Sequence, residues 1–327
     1  MSASLDALDP ALREFVHTVC SESARLAGGR NLDWPHQREI ADTVRTPWRA
    51  GGPVMATATT HRIAHGADGF DVRVHRPQGI AAQAPALVYL HGGGWCLFSL
   101  DTHDRLMREL AERAGVVVIG VDYALAPEDP YPVALEQCIA AIRALREQPE
   151  IFGIDATRLA LGGDSAGANL ALATALRLRD VGAHGGIDAL LLLYGAFDTA
   201  LDADSVRTLG TADDMLSADE MAAYWNAYLG PDAAACRDGY AVPAHAALHD
   251  LPPTLLLWGE RDVLAEQNAA MATRLRAAGV EVDALAYPRT PHSFIEAMSI
   301  SEIARDALAR GAGWLRIHLA VTQDASA

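Results

Sequence analysis

Two periodicities divide this chain. Up to about residue 50, apolar side chains recur every three to four positions. Leu8, Leu12, Val16, Val19 and Leu26 line one side of an expected helix, which Asp9 can cap with Pro10 at its first position. Gly28-Gly29 ends it, a second helix is expected around residues 36–44, and Ala50-Gly51-Gly52-Pro53 closes the segment. From Thr59 the pattern becomes extended. Residues 59–65 and 70–75 flank Gly66-Ala67-Asp68-Gly69 and predict a hairpin. Short apolar runs (86–90, 116–121, 159–162, 190–194, 254–258, 282–287) then alternate with amphipathic stretches (102–114, 133–147, 166–179, 265–278, 302–318). Such alternation predicts an α/β fold with a mainly parallel sheet and helices on both faces. Residues 199–247 interrupt it with a helix over 218–229 and a polar loop. This insertion and the N-terminal segment 1–52 are expected to cap the carboxyl edge of the sheet, with 53–327 as the catalytic body.

Composition narrows the function. With 327 residues, half of them hydrophobic, the chain can form one large α/β domain with an appendage, or two modest domains. No apolar run approaches the ~18 residues of a membrane span. The stretch Met1-Ser2-Ala3-Ser4-Leu5-Asp6 has neither a basic nor an apolar leader region. Cys20, Cys96, Cys138 and Cys236 lack CxxC spacing, so reduced thiols and a cytoplasmic location are expected. A formal charge of -16 argues against nucleic acid or membrane surfaces as partners. All 26 Lys and Arg residues are Arg. That excludes a phosphate-loop lysine, a Schiff-base lysine and a Ser–Lys dyad together.

Gly163-Asp164-Ser165-Ala166-Gly167 follows an apolar strand and opens a helix, the context a nucleophile elbow requires. Glycines two residues either side of Ser165 let the turn close, and the helix start favours negative charge. A serine hydroxyl needs a base, and in this fold the order is serine, acid, histidine. His292 follows the last strand-like run, whereas His318 belongs to a helix face. Asp262, directly after 254–258, is the first choice for the acid and Asp198 the alternative. In His91-Gly92-Gly93-Gly94-Trp95, glycines let backbone N–H groups turn toward a developing oxyanion. Gly93 and Gly94, with Ala166, are the expected donors, Gly92 a substitute, and His91 a brace. Trp95, Phe197 and Trp225 are candidate substrate contacts. The histidine pairs 61/65 and 245/249 lack the HExxH glutamate, so no metal site is expected.

These motifs resemble the bacterial hormone-sensitive-lipase-like esterases of the α/β-hydrolase fold. Added to the loop and the elbow are Ser99-Leu100-Asp101-Thr102-His103-Asp104, Asp122-Tyr123-Ala124-Leu125-Ala126-Pro127-Glu128, Asp262-Val263-Leu264 and His292-Ser293-Phe294. The resemblance spans roughly residues 84–314. It implies Ser165 as nucleophile, Asp262 as acid, His292 as base, a helical cap, no cofactor, and short- or medium-chain acyl esters as substrates. The chain departs from it at Ala124, where the family often has Arg, and at Val263 and Ser293. The expected partner is a small-molecule ester. A homodimer through an edge strand is compatible with the sequence, though no residue specifies it. The same machinery serves amide bonds, so an amidase or deacetylase of small N-acyl compounds is the alternative. A non-catalytic small-ligand receptor is disfavoured by the complete set Ser165, Asp262 and His292.

Overall fold

The computed structural model describes residues 6–182, 187–211 and 214–321. The first five residues, and with them the expectation about a leader, lie outside that range. Helix α1 (Pro10–Ala27) starts where the Asp9 carboxylate accepts the Ala11 N–H, and ends at Gly28 in a left-handed conformation. Its buried stripe is Leu12, Phe15, Val16 and Val19. Helix α2 (Trp34–Arg49) is longer at both ends than the expected 36–44. Asp33 accepts the His36 N–H at 3.1 Å and so starts the helix ahead of Pro35. Phe15 meets Trp48 edge-on at 4.7 Å, which fastens the two helices together.

The strands are β1 (Thr57–Ile63), β2 (Phe70–Arg76), β3 (Ala84–Leu90), β4 (Val117–Val121), β5 (Ile154–Asp164), β6 (Ile187–Leu193), β7 (Thr254–Arg261) and β8 (Val282–Pro291). Among the described residues they form one sheet, ordered β1-β2-β4-β3-β5-β6-β7-β8. The predicted hairpin is present, with Ile63 opposite Phe70. β2 pairs antiparallel with β4, and every pairing from β4 through β8 is parallel.

The longer helices of the body are α3 (Asp104–Ala114), α4 (Val133–Glu147), α5 (Ala166–Asp180), α8 (Ala265–Ala277) and α9 (Glu302–His318). Between β6 and β7 lie α6 (Ala203–Leu209) and α7 (Ala218–Leu229). α3 packs with α9, and α4 with α5. β3 and β4 are buried along their whole length, as strands covered on both faces must be. The insertion is ordered by a capping box at α7, where Ser217 and Glu220 satisfy each other's backbone N–H groups. β3, β5, β7 and β8 all end at the same edge, so His91, Ser165, Asp262 and His292 follow strand tips along one crevice. Among the described residues no helix is long and apolar enough to cross a membrane. No disulfide joins the four cysteines.

Candidate active site

Ser165 sits between β5 and α5 with φ +53° and ψ −117°, a region that non-glycine residues seldom occupy. The start of α5 lies directly against the end of β3. A Cβ on Gly167 would stand 1.9 Å from the Leu90 carbonyl oxygen, and one on Gly163 2.5 Å from the same atom. The chain can therefore turn this sharply only with glycine on both sides of the serine. The Ser165 N–H donates to the Leu193 carbonyl at 2.9 Å, which ties the turn to the tip of β6. Strain of this kind costs ~1–3 kcal/mol and persists only where the surroundings over-determine it.

Ser165 Oγ lies 3.0 Å from His292 Nε2, and His292 Nδ1 lies 2.7 Å from Asp262 Oδ2. The other Asp262 oxygen accepts the Leu264 N–H at 2.9 Å, and the carboxylate is fully buried. This continuous hydrogen-bonded chain has the geometry of a Ser-His-Asp triad. Asp198 is elsewhere. Its carboxylate accepts the Ala200 N–H and its own N–H donates to Gln267, so it shapes a loop. His318 packs on Trp314 in α9. Tyr194, which the sequence reading did not single out, packs edge-on against the His292 ring at 5.0 Å. Only its place at the tip of β6 could have flagged it.

The three glycines separate by role. The Gly92 N–H donates to Asp164 Oδ1 at 3.0 Å and is thereby occupied. Gly93 and Gly94 have φ of +108° and +60°, and the Gly93 carbonyl accepts the N–H groups of Cys96 and Leu97. The N–H groups of Gly93, Gly94 and Ala166 donate to no described residue. Gly93, Gly94, Ser165 and His292 border one cavity of about 620 Å³. His91 is buried and does not border that cavity. It stacks on Tyr123 at 4.3 Å, and its Nδ1 donates to the Gly92 carbonyl. Desolvation pushes its pKa down to about 3, so it braces the loop as a neutral ring.

Beneath the elbow, Asp164 accepts hydrogen bonds from Tyr89 and Gly92 and lies 3.4 Å from His103 Nε2. Burial disfavours charge on both partners, yet their mutual attraction prevails. His103 is held above its ordinary value, and Asp164 below its own, with Tyr89 assisting. In sequence the two stand in separate motifs, Asp164 beside the nucleophile and His103 within residues 99–104, and nothing local marks them as partners.

The cavity wall differs from expectation. Trp95 and Phe197 are fully buried and Trp225 nearly so, and none borders the cavity. Trp95 turns inward to stack on Tyr228 at 4.5 Å and lies 4.4 Å from Trp225. Phe197 folds back over Gly195, where a Cβ would meet its ring at 2.2 Å. On α7, Met221, Trp225 and Tyr228 form the buried stripe at i, i+4 and i+7. Tyr224, one residue from Trp225, takes the wall position instead. Its ring lies so close to Gly94 that a Cβ there would stand 2.3 Å from it. The remaining wall comes from α1, α2 and the segment before α7, including Cys20, Ile40, Arg45 and Met215.

The buried pair has a pH signature. The raised His103 value contributes stability that is complete below its ordinary 6.5 and is lost as pH rises through the folded value. The lowered Asp164 value contributes above 3.8 and fails on acidification. We therefore expect the gap in Tm between wild type and His103→Gln to be widest near pH 5–6 and to narrow toward pH 9, as read by circular dichroism melts. A gap that widened with pH would contradict a charged His103. Separately, Gly167→Ala, which drives a methyl into the Leu90 carbonyl, is expected to destabilise by more than ~3 kcal/mol in urea melts, above the range of ordinary overpacking.

Comparison with known proteins agrees with this geometry. The family described as the alpha/beta hydrolase fold matches residues 87–296. A hyperthermophilic esterase from the archaeon Pyrobaculum calidifontis is 32% identical with a TM-score of 0.88, covering 96% of this chain and 99% of that one. An ester hydrolase from the metagenome of Lake Arreo, solved with a bipyridine phosphonate derivative, is 32% identical with a TM-score of 0.87, covering 96% and 100%. An esterase of the bacterial hormone-sensitive lipase family is 29% identical with a TM-score of 0.82, covering 95% and 99%. With its ordered motifs, hydrogen-bonded Ser165–His292–Asp262 chain and N-terminal helical cap, this chain belongs to the hormone-sensitive-lipase-like esterase family of the α/β-hydrolase fold.

Proposed function

We propose that this protein is a serine carboxylesterase that hydrolyses short- to medium-chain acyl esters of small alcohols through an acyl-enzyme. The observation that carries the reading is the pair of contacts at 3.0 and 2.7 Å that links Ser165 through His292 to Asp262 beside an open cavity. Ser165 Oγ attacks the ester carbonyl while His292 Nε2 takes its proton. Asp262 fixes the imidazole tautomer and stabilises the imidazolium. The unoccupied N–H groups of Gly93, Gly94 and Ala166 receive the oxyanion, each such donor typically being worth ~2.7–4 kcal/mol. His292 then gives its proton to the departing alcohol, and a water molecule repeats the sequence to release the acid. In this reading residues 1–52 and 199–247 serve as the cap and the rest of 53–327 as the catalytic body.

The chain-length preference rests on Tyr224. Its ring packs on Gly94, beside the proposed oxyanion site, and limits the room next to the reacting carbonyl. Trp95, a candidate substrate contact on sequence, is committed to the core and does not border the cavity.

Purified protein should show a burst with a chromogenic acetyl or butyryl ester and label with a fluorophosphonate, and Ser165→Ala should do neither. Equal rates in the two proteins would dismiss the hydrolase reading. Asp262→Asn should lower kcat by several orders of magnitude, while Asp198→Asn stays within about threefold, in the same assay. In a series of 4-nitrophenyl esters, acetate should exceed decanoate by at least ~10-fold in kcat/KM. Tyr224→Ala should compress that ratio, and a wild-type maximum at ten carbons or beyond would reject the proposed selectivity.

A further inference from the structure

Helix α2 does more than roof the cavity. Gln37, Ile40, Ala41 and Arg45 border the cavity, while Arg38 on the same helix reaches into the body. Arg38 Nε donates to the Cys96 carbonyl at 2.7 Å, and Nη2 donates to the Ala126 carbonyl at 2.9 Å. Glu128 holds the fork from the other side, at 3.0 Å from Nη1 and 2.6 Å from Nη2. The two gripped carbonyls belong to segments that are themselves joined. The Ala126 N–H donates to the Trp95 carbonyl at 2.9 Å, and the Cys96 N–H donates to the Gly93 carbonyl at 3.0 Å. Between the guanidinium and the Gly93 carbonyl there is thus a single residue, Cys96.

The other end of the helix is also anchored. Seven residues on, roughly two turns along the helix axis, Arg45 Nε donates to Glu296 Oε2 at 2.8 Å, with both side chains more than nine-tenths buried. Glu296 lies four residues after His292, in the 3-10 helix Phe294–Ser299. One rigid helix therefore touches the loop bearing the proposed oxyanion donors and the loop bearing the proposed base. Its ends are fixed by arginine side chains rather than by apolar contact alone.

We infer that Arg38 is a positioning residue for hydrolysis, acting from the cap on the direction of the Gly93 and Gly94 N–H groups. The inference rests on the reading that those groups receive the oxyanion. Its physical basis is that the N–H vectors are set by the tilt of the peptide planes from Gly92 to Trp95. Cys96 and Trp95 terminate that run, and Arg38 fixes one directly and the other through Ala126. Without the fork, the loop keeps its glycine freedom and samples orientations in which the donors miss the oxygen. Small misplacements at a reacting centre readily cost ~10²-fold in rate. Lysine cannot replace the fork, because one ammonium on a flexible stem cannot span two carbonyls and a carboxylate in fixed geometry.

The test compares wild type, Arg38→Met, Arg38→Lys and Glu128→Gln, with Ser165→Ala as the control for the chemistry. The measurements are kcat and KM for 4-nitrophenyl acetate, Ki for a small alkyl trifluoromethyl ketone that forms a tetrahedral adduct, and Tm. Arg38→Met should lower kcat by ~10–100-fold and leave KM within about threefold. The ketone should weaken by the same factor as kcat/KM, since both report the tetrahedral geometry. Arg38→Lys should fall between, and Glu128→Gln should lose less than Arg38→Met. If Arg38→Met proves too unstable to assay, the charge-conserving Arg38→Lys and the near-isosteric Glu128→Gln still separate kcat from KM. A kcat unchanged within threefold, or a loss carried by KM with the ketone unaffected, would overturn the inference and make Arg38 a structural tie only. Wild-type activity absent to the level of Ser165→Ala would instead overturn the hydrolase reading, and the positioning role with it.

Discussion

The close approach of α5 to the end of β3 is the constraint on which the site depends. With Gly167 pressed onto the Leu90 carbonyl, the chain leaving β5 has no room for a relaxed turn, and Ser165 takes its left-handed φ as the remaining solution. Two features meet at this one contact. The first N–H of α5, which like that of any helix has no intrahelical partner, and the loop after β3 are brought alongside each other. Asp164, one residue before the serine, then reaches back to occupy the Gly92 N–H. The elbow and the glycine loop are thus a single assembly.

Much of this was legible in the residues because the relevant signals are local. Apolar runs of strand length separated by amphipathic stretches fixed the parallel sheet, and the hairpin at Gly66–Gly69 formed as its turn chemistry required. Ser165, Asp262 and His292 were identified by their places after strands, since a strand tip at the carboxyl edge leads to one crevice whatever the details of packing. The same rule left Asp198 and Asp262 both eligible. Only three-dimensional placement distinguishes a carboxylate facing His292 from one that closes its own loop.

The cavity wall was less legible, for a physical reason. Trp95 directly follows the glycine loop and Trp225 lies on the inserted helix α7, but a tryptophan at either place can fasten cap to body. Trp95 does so by stacking on Tyr228. Which face of α7 meets the core is set by the stripe of Met221, Trp225 and Tyr228, a pattern present in the sequence. That Tyr224 would lie over Gly94 depends on how an insertion folds across a distant loop, which no local period encodes. The lengthening of α2 is intermediate. Asp33 and Pro35 carry a helix-start signal just ahead of the expected range, whereas the continuation through Arg45 draws on a buried partner about 250 positions away in the chain.

The contact between Tyr224 and Gly94 has an implication for how such a catalyst diversifies. Because the glycine is held at a positive φ beneath the aromatic ring, position 94 cannot absorb variation without dislodging the roof. Novelty in what the enzyme accepts therefore falls to the roof side, to the cavity-lining positions of α1, α2 and the 214–224 segment. The floor beneath it leaves no room for a side chain, so binding scope and reaction chemistry are separately mutable parts of one polypeptide.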